Sequence, residues 1–472
     1  MAIRVKHNTD SINARNTLDR NTKSLAKNLK KVASGMKINS ASDDASGYSI
    51  SERMRENINS LDQASDNTQN GSAMMKVAEG AVSSTIDILK TMKERAIESS
   101  NGTHTDADRQ IMQKEFNQLI DQIDDNAYTS YNGIALVDGS HNHGIKAVGT
   151  VFANDYLSEP DNLPTIGRKL TDLTDKNGEN LGILASDRIT ISVVQDGKTY
   201  TRTYDVADNA LANIIGGTSG IFDKDGKLVA DSFKDDIAKD GFMGELSFLD
   251  SQEYYGYDGF DKKIAPPSGK KTSVISVGID DDTVNPPTRH PDDCGLERQL
   301  GGITFSITDR DGKVRTSANA KLNQFHEVIR AQNASPDNAL TFHVGTKANQ
   351  SVKVGLTDMR AYALALRGKD GININIAEQS QAQASIEVLD NALSKALDQQ
   401  TTIGAVQSRL EHTLDNLITA RTNVQSAESV IRDADMAKEM TEYTKSNILS
   451  QAAQSMLAQS NQQGSNVLSL LQ

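Results

Sequence analysis

Few residues in this chain have the types and spacing that catalytic or metal chemistry requires. His326-Glu327 lies in the segment FHEVIR, which lacks the second histidine that a zinc protease helix uses to bind its metal. His141 and His143 are two residues apart in a stretch rich in Gly and Asn, which is typical of a solvated loop. We therefore expect no metal site at these histidines.

One acidic segment has the beginning of a calcium loop. Asp223, Asp225 and Gly226 fit its first positions, but Lys234 occupies the place of the bidentate acid, so a hairpin turn explains the segment better. The one cysteine, Cys294, excludes an intramolecular disulfide and any multi-cysteine metal site. No convergent set of polar groups forms a catalytic motif. The sequence predicts a protein that is not an enzyme and binds no cofactor.

The composition favours long, thin helical packing over thick globular cores. Hydrophobic residues make up 37% of the 472 residues and aromatic residues 4%, with no Trp. The net charge of −13 argues against nucleic acid as a partner, because phosphate binding needs a basic surface. No run of 18 apolar residues predicts a membrane span, and no apolar segment of a standard secretory signal follows the first charges. If the protein leaves the cell, we expect another export route.

The prolines divide the chain into three parts. All eight lie between residues 160 and 336, and proline breaks helix interiors, so both ends can form long helices. A first helix carries an apolar stripe with steps of four and three: Leu18, Thr22, Leu25, Leu29 and Val32. We expect a break around residues 40–47, where Ser42 and Asp43 can cap the second helix.

Two ladders with a period of seven residues follow in the proline-free parts. The N-terminal ladder consists of Met54, Leu61, Thr68, Met75, Val82, Leu89 and Ala96. The C-terminal ladder consists of Leu389, Ala396, Ile403, Leu410, Leu417, Val424 and Ile431. A constant period of seven favours packing along another helix, so we expect the two ends to pack against each other in one rod.

The middle of the chain has the alternation of β-strands. Ile189, Ile191 and Val193 alternate before the turn Asp196-Gly197, and the chain alternates back over residues 200–204. Further alternating segments lie at residues 303–307, 342–344 and 352–354. The predicted fold is a mainly α, coiled-coil-like rod of paired N- and C-terminal long helices with an inserted β-rich variable domain, α+β overall.

Several motifs at both ends resemble bacterial flagellins. They are KINSASDDASGYSISERM (37–54), AEGAV (78–82), YNGIALVDG (131–139), GAVQSRLEHTLDNL (404–417) and SAESVIRDADMAKEMTEYTKSNILSQAAQSML (426–457), followed by VLSLL (467–471). The resemblance covers about residues 1–140 and 338–472, in order, and leaves the middle unmatched.

The resemblance implies a structural subunit that polymerises helically into the extracellular flagellar filament used for swimming. It implies a terminal coiled coil of residues 1–42 and 425–472, a core rod of residues 43–140 and 338–424 with a β-hairpin, and an exposed domain of residues 141–337. It also implies export in an unfolded state through the flagellar channel, and cap and hook-associated proteins as partners. Apolar stripes that a monomer cannot bury would leave such ends disordered until a neighbour arrives.

The resemblance further implies two partner surfaces. The export chaperone of the family covers the C-terminal segment, here with apolar contacts at Ile431, Met436, Met440, Ile448, Leu449, Met456, Leu457, Val467, Leu468 and Leu470, which can also pack in the filament. Flagellins detected by a Toll-like receptor carry Arg, Leu and Gln where this chain has Thr91, Arg95 and Glu98. We expect weak recognition, because Arg95 replaces an apolar residue and an arginine anchor is lost.

Three alternatives stay open at this point. The hook–filament junction protein shares both ends of the flagellins in weaker form and makes a short ring. The middle domain could instead be an adhesin that binds a surface ligand, since its strands are rich in Ser and Thr. An inserted protease domain is the third alternative, and the incomplete FHEVIR segment argues against it.

Overall fold

The computed structural model describes residues 8–157, 169–175, 178–206, 246–252, 256–257, 263–264, 272–277, 279–280, 288–289, 295–296 and 299–470, with only the backbone over 246–289 and 464–470. The calcium-like segment and Cys294 lie outside these residues, so those two predictions stay untested. Two compact units divide the chain. Unit 1 contains residues 1–70, 343–351 and 410–472, and unit 2 contains residues 71–342 and 352–409.

Long helices occupy both ends of the chain, as the placement of the prolines predicts. The described helices are α1 (Thr9–Ser34), α2 (Ala45–Ser100), α3 (Asp106–Ala127), α4 (Thr316–Leu322), α5 (Gln379–Arg432) and α6 (Met436–Leu470). No described helix is both long and apolar enough to cross a membrane.

The predicted break between the first two helices is confirmed, but it spans residues 35–44 instead of 40–47, and its predicted cap is wrong. α1 ends at Gly35, whose φ of +70° belongs to the left-handed region that glycine adopts easily. α2 starts at Ala45, and the Asp44 carboxylate accepts hydrogen bonds from the backbone N–H groups of Ser46 and Gly47. The carboxylate of Asp43 instead accepts from the Asn39 N–H within the loop (3.2 Å). Asp44 therefore caps the helix in place of Ser42 or Asp43.

The strands lie between α3 and α5. They are β1 (Ser130–Tyr131), β2 (Ile134–Ala135), β3 (Val151–Asn154), β4 (Arg188–Gln195), β5 (Lys198–Asp205), β6 (Leu246–Gln252), β7 (Gly256–Tyr257), β8 (Lys263–Ile264), β9 (Thr272–Val277), β10 (Ile279–Asp280), β11 (Thr288–Arg289), β12 (Leu300–Thr308), β13 (His326–Ile329), β14 (Leu340–His343) and β15 (Ser351–Val354). The larger described sheets have the orders β12-β4-β5 and β13-β3-β9-β6, and the neighbouring strands in both are antiparallel.

The predicted hairpin in the middle of the chain is confirmed. β4 and β5 pair antiparallel, and Asp196 (φ +49°) with Gly197 (φ +75°) forms the turn between them. β12 adds to the other edge of β4. The inward-facing residues of β4 and β12 pack in one apolar core with the ring of Phe325, which lies 5.6 Å from that of Phe305. The alternation in the sequence therefore marks the buried face of this sheet.

Most members of both ladders are buried in the rod helices α2 and α5. On α2, Leu61, Thr68, Met75, Val82, Leu89 and Ala96 are buried and Met54 is half-buried. On α5, Leu389, Ala396, Ile403, Leu410 and Leu417 are buried, whereas Val424 and Ile431 are half-buried. The period of seven thus predicts the packing face of both helices correctly.

Candidate assembly surface

The two terminal helices, α1 and α6, pack against each other in unit 1, and we call them the terminal pair. The less exposed positions recur with steps of four and three on both helices, as in a coiled coil. On α1 they are Ser11, Ala14, Leu18, Asn21, Leu25, Asn28 and Val32. On α6 they are Glu439, Tyr443, Ser446, Ser450, Ala453, Leu457 and Ser460. These fourteen positions form the seam of the terminal pair, and the large aliphatic residues among them are few.

Hydrogen bonds across the seam define the relative direction of α1 and α6. Asn21 Nδ2 donates to the carbonyl oxygen of Leu449 (3.1 Å), and Asn28 Nδ2 donates to Ser446 Oγ (3.1 Å). Near the ends of the pair, Asn8 Nδ2 donates to the carbonyl of Ser460, and Lys31 forms an ion pair with Glu439 (3.2 Å). Partner numbers on α6 fall as those on α1 rise, so the helices are antiparallel in a register that polar groups specify.

Large apolar side chains of the terminal pair lie outside this seam. On α6, Met440 is 44% exposed, Ile448 61% and Met456 64%, and Met436 and Leu449 are also exposed. On α1, Leu29 is 50% exposed, so the predicted stripe is only partly right. Leu18, Leu25 and Val32 lie at seam positions, as the stripe predicts. Between Leu25 and Val32, however, the seam position is Asn28, and Leu29 is exposed. We call Met436, Met440, Ile448, Leu449 and Met456 the outer apolar residues of α6.

Arg432 connects the terminal pair to the start of α2 within unit 1. Its guanidinium is buried, donates to Glu52 Oε1 (2.5 Å) and lies over the Tyr48 ring, with its central carbon 5.4 Å from the ring centroid. Its carbonyl accepts a hydrogen bond from the Lys37 N–H (2.7 Å). Arg432 therefore links the loop between α1 and α2 (residues 35–44) to the break between α5 and α6 (residues 433–435).

The rod helices α2 and α5 run antiparallel in both units. In unit 1, Arg55 pairs with Glu428 and Asp62 with Arg421. Leu61, Ala64 and Leu417 form one buried cluster there, with Ala420 and Val424 packed against it. In unit 2, Gln407 donates to Glu79 (2.8 Å), and Lys93 pairs with Asp390. Polar contacts at the edges of the ladders therefore keep the same antiparallel direction.

The structure separates the predicted chaperone contacts into three groups. Ile431 is half-buried at the end of α5, and Leu457 lies in the seam against α1. The outer apolar residues of α6 are exposed. Val467, Leu468 and Leu470 lie in α6, but their side chains are outside the described residues.

The predicted receptor positions form a charged surface on α2. Arg95 donates to Glu98 Oε2 (2.8 Å) and pairs with Glu115 of α3 (3.1 Å). These two carboxylates raise the pKa of the Arg95 guanidinium, with the Glu98 hydrogen bond as the larger cause. Thr91 lies one turn earlier, and its hydroxyl donates to the Asp87 carbonyl (3.0 Å).

The residues considered for metal chemistry serve the fold. His326 and Glu327 lie in strand β13, which is not the helix that a zinc protease needs. His141 and His143 lie in a loop, as predicted, but His143 is half-buried, and its Nε2 accepts a hydrogen bond from the Gly355 N–H (3.0 Å). His141 Nδ1 lies 3.2 Å from the Asn338 carbonyl. Among the described residues, no group of three or more His, Cys, Asp or Glu is placed to hold a metal ion.

Sequence reasoning missed a buried ionic cluster in unit 2. Burial raises the pKa of Glu327 to about 7, and burial lowers the pKa of Lys395. Lys395 Nζ donates to the Ala363 carbonyl (2.7 Å), and Arg330 pairs with both Glu327 and Asp398. No motif marks such a cluster, because its members come from a strand and a helix far apart in the sequence.

Comparison with known proteins gives matches at both ends and over the whole length. The family profile of the bacterial flagellin N-terminal helical region matches residues 5–142, and that of the C-terminal helical region matches residues 386–471. The flagellin of Clostridium tyrobutyricum is 31% identical over 466 residues, which cover 97% of this chain and 99% of the relative. The flagellin of Bacillus subtilis (strain 168) is 28% identical over 99% of this chain and all of the relative.

Two solved structures have only low TM-scores when they are compared with this chain. FliC from Burkholderia pseudomallei covers 72% of this chain and 99% of its own, with 17% identity and a TM-score of 0.25. The flagellar junction protein FlgL from Legionella pneumophila covers 76% of this chain and 99% of its own, with 12% identity and a TM-score of 0.27. Overlaps this low do not distinguish between the two classes of protein.

Proposed function

Because this chain belongs to the bacterial flagellin family, and is therefore a structural subunit of the extracellular flagellar filament, we propose that its terminal pair is the surface that joins one subunit to the next. One observation carries the proposal. Half of the fourteen seam positions carry Ser, Asn or Glu, while the outer apolar residues of α6 have nothing to cover them within the chain's described residues.

The energetics favour burial between subunits over burial within one. Stable coiled coils carry aliphatic residues at nearly every seam position, and a polar residue there specifies register at a cost in stability. Full burial of a Leu, Ile or Met side chain stabilises by about 1.5–3 kcal/mol. Ile448 and Met456 are more than half exposed in one chain, and Met440 is 44% exposed. They gain most of this stabilisation only when a neighbouring subunit covers them. A weak pair in the monomer then becomes stable in the polymer.

The ladders of the rod have a different role in this proposal. Met75, Val82 and Leu89 on α2 are buried inside unit 2, and Leu389 and Ile403 on α5 are buried there as well. A fully buried side chain does not touch a neighbouring subunit. These residues support the filament by holding α2 and α5 in register within unit 2, so that the exposed faces of the helices there pack against other copies.

The same outer apolar residues fit the export partner that the family resemblance implies. A chaperone that covers Met440, Ile448 and Met456 before export would block the surface that joins subunits, and its release would expose that surface. Export in an unfolded state through the flagellar channel belongs to the same proposal, as do contacts with cap and hook-associated proteins. The charged surface at Thr91, Arg95 and Glu98 supports weak Toll-like receptor recognition, because Arg95 is already paired with two carboxylates.

We also propose that the chain has no catalytic role, which the strand conformation of His326 and Glu327 supports. An adhesive role for residues 141–337 would appear as ligand binding by that segment when it is expressed alone. No described contact of the middle sheets favours such a role.

Seeded polymerisation tests the proposal. Full-length chain and a chain truncated to residues 43–424 are mixed with filament seeds and viewed by negative-stain electron microscopy. A second truncation to residues 45–432 cuts at the observed helix breaks and keeps α5 and Arg432 whole. Filaments from the full chain alone place assembly in the terminal pair. Filaments from either truncated chain contradict the proposal, and short rings from the full chain favour the junction class.

A further inference from the structure

Three methionines lie on the outer surface of α6. Met436 is 43% exposed, Met440 44% and Met456 64%, and these are the most exposed methionines among the described residues. None of the three methionines lies at a seam position. Together they make up three of the five outer apolar residues of α6, so sulfur atoms supply much of this surface.

We propose that Met436, Met440 and Met456 are oxidation sites whose conversion to methionine sulfoxide stops subunits from joining a filament. This inference rests on the proposed function, because it assigns the effect to the surface that joins subunits. The oxidant is a peroxide. Its terminal oxygen is transferred to the thioether sulfur, which loses two electrons, and the peroxide is reduced to water when hydrogen peroxide reacts.

The chemistry of the product explains the effect on assembly. A thioether is apolar and adapts to irregular packing, whereas a sulfoxide is polar and needs a hydrogen-bond partner when it is buried. Ile448 and Leu449, the other outer apolar residues of α6, offer no side-chain donor. Oxidation therefore leaves the folded chain intact but makes burial of this surface unfavourable.

Exposure makes the reaction selective, and the chain contains its own controls. Met75, Met92 and Met359 are buried at 0–1% exposure in unit 2. Susceptibility to oxidation follows exposure to solvent, so the three α6 methionines should react first. Assembly should slow the oxidation of the α6 methionines, because a neighbouring subunit then covers them. The filament would thus protect residues that the free subunit leaves open.

The test uses full-length monomer and preformed filaments treated with hydrogen peroxide, with the oxygen gain at each methionine followed by peptide mass spectrometry. In the monomer, we expect Met436, Met440 and Met456 to oxidise at least tenfold faster than Met75, Met92 and Met359. In filaments, we expect their rates to fall at least tenfold. Oxidised monomer should show at least a tenfold higher critical concentration in seeded elongation, and methionine sulfoxide reductase should restore elongation.

A variant carrying Met436→Leu, Met440→Leu and Met456→Leu assigns the effect to these residues. Its elongation rate after peroxide should equal its own rate before peroxide, whatever the three substitutions themselves do to that rate. If the variant loses elongation after peroxide as the wild type does, another residue carries the effect and the inference is wrong. If oxidised wild type elongates normally, the inference is wrong while the proposed function stands. If untreated wild type fails to elongate seeds, the proposed function itself is contradicted.

If the leucine variant folds poorly, treatment of oxidised wild-type monomer with methionine sulfoxide reductase tests the inference instead. Recovery of elongation in step with loss of the oxygen at these three positions supports the inference. Recovery that follows oxygen loss at other methionines overturns it.

Discussion

Asn28 of α1 donates a hydrogen bond to Ser446 of α6 (3.1 Å), across 418 positions of the chain. Both residues lie at seam positions where a stable coiled coil would carry Leu or Ile. The bond specifies an antiparallel register at the expense of apolar burial. The terminal pair therefore has a specific register with limited apolar burial, which agrees with the proposal that it becomes stable only on assembly.

Replacing this hydrogen bond with apolar packing should strengthen the terminal pair in the monomer. We expect Asn28→Leu with Ser446→Leu to stabilise the pair by about 2 kcal/mol, since two aliphatic side chains are buried. Protease digestion of residues 9–34 in the monomer should slow at least fivefold, and unseeded polymerisation should begin sooner. The control is Thr422→Leu, which adds an apolar residue at an exposed position of α5. An unchanged digestion rate in the double variant would contradict this account of the seam.

Arg432 should contribute more to stability than an exposed arginine on the same helix. Its side chain is 7% exposed and contacts Glu52 and Tyr48, whereas the Arg421 side chain is 44% exposed in its pair with Asp62. We expect Arg432→Ala to lower the free energy of unfolding of unit 1 by about 2 kcal/mol, because Glu52 and the ring lose their partner.

The matched variant Arg421→Ala should cost less than about 1 kcal/mol, as exposed ion pairs do. Hydrogen exchange of backbone amides in residues 36–52 measures the difference, since Arg432 holds that loop. Equal protection in both variants would show that Arg432 is an ordinary surface charge.

The sequence predicts the rod well because the rod is built on apolar repetition. Leu61, Met75 and Leu89 recur every seven residues, and all three are buried. The seam of the terminal pair was harder to predict, because Asn28 and Ser446 carry no apolar signal. An apolar stripe therefore placed Leu29 on the contact face, and the structure places Asn28 there.

Two other features depend on contacts that no local pattern encodes. The run SASDD offers several capping residues, and only the loop geometry selects Asp44 over Asp43. Arg432 is charged and would be expected at the surface, but Glu52 and Tyr48 of another helix bury it. A search for heptads that accepts small polar residues as well as apolar ones would find the seam. No sequence rule predicts the contact of Arg432 with Glu52 and Tyr48.

Burial of the α2 ladder predicts a large cost for truncating one of its members. Leu89 is 1% exposed in unit 2, and Leu397 on α5 in the same unit is 43% exposed. We expect Leu89→Ala to destabilise unit 2 by about 2–4 kcal/mol, because it removes buried methyl groups and leaves a cavity. Leu397→Ala should cost less than about 1 kcal/mol. Chemical denaturation of both monomers measures the difference, and similar midpoints would contradict the burial assigned to the ladder.

Restoring the residues of strongly detected flagellins should raise receptor recognition. The variant carries Thr91→Arg, Arg95→Leu and Glu98→Gln, which removes the Arg95 pairs and supplies an apolar residue with an arginine anchor. We expect the reporter-cell response to increase at least tenfold at equal monomer concentration. Asp66→Asn, at an exposed position elsewhere on α2, raises the net charge by one as the triple variant does and is the control for a general change of charge. A wild-type response equal to that of a strongly detected flagellin would remove the basis of the prediction.

The stability of unit 2 should fall as the pH rises through neutrality, partly because of Glu387. Burial, followed by repulsion from Asp390, raises the pKa of Glu387 to about 7, against an ordinary value of 4.5, while Lys93 lowers it. The folded state therefore binds the proton more tightly than the unfolded state. The resulting stabilisation is fully present below about pH 4.5 and is lost as the pH rises through about 7. Each unit of pKa difference corresponds to about 1.4 kcal/mol, so the loss is at most about 3.5 kcal/mol.

Glu387→Gln isolates this contribution from other titrating groups such as Glu327. The neutral amide keeps the shape of the side chain that packs against Gly302. We expect the variant to match the wild type at pH 4.5 and to be more stable at pH 8, with the difference growing between these values and constant above them. Urea denaturation of monomers across this range gives the curve. A difference independent of pH, or one that is larger in acid, would show that the folded protein does not raise the pKa of Glu387.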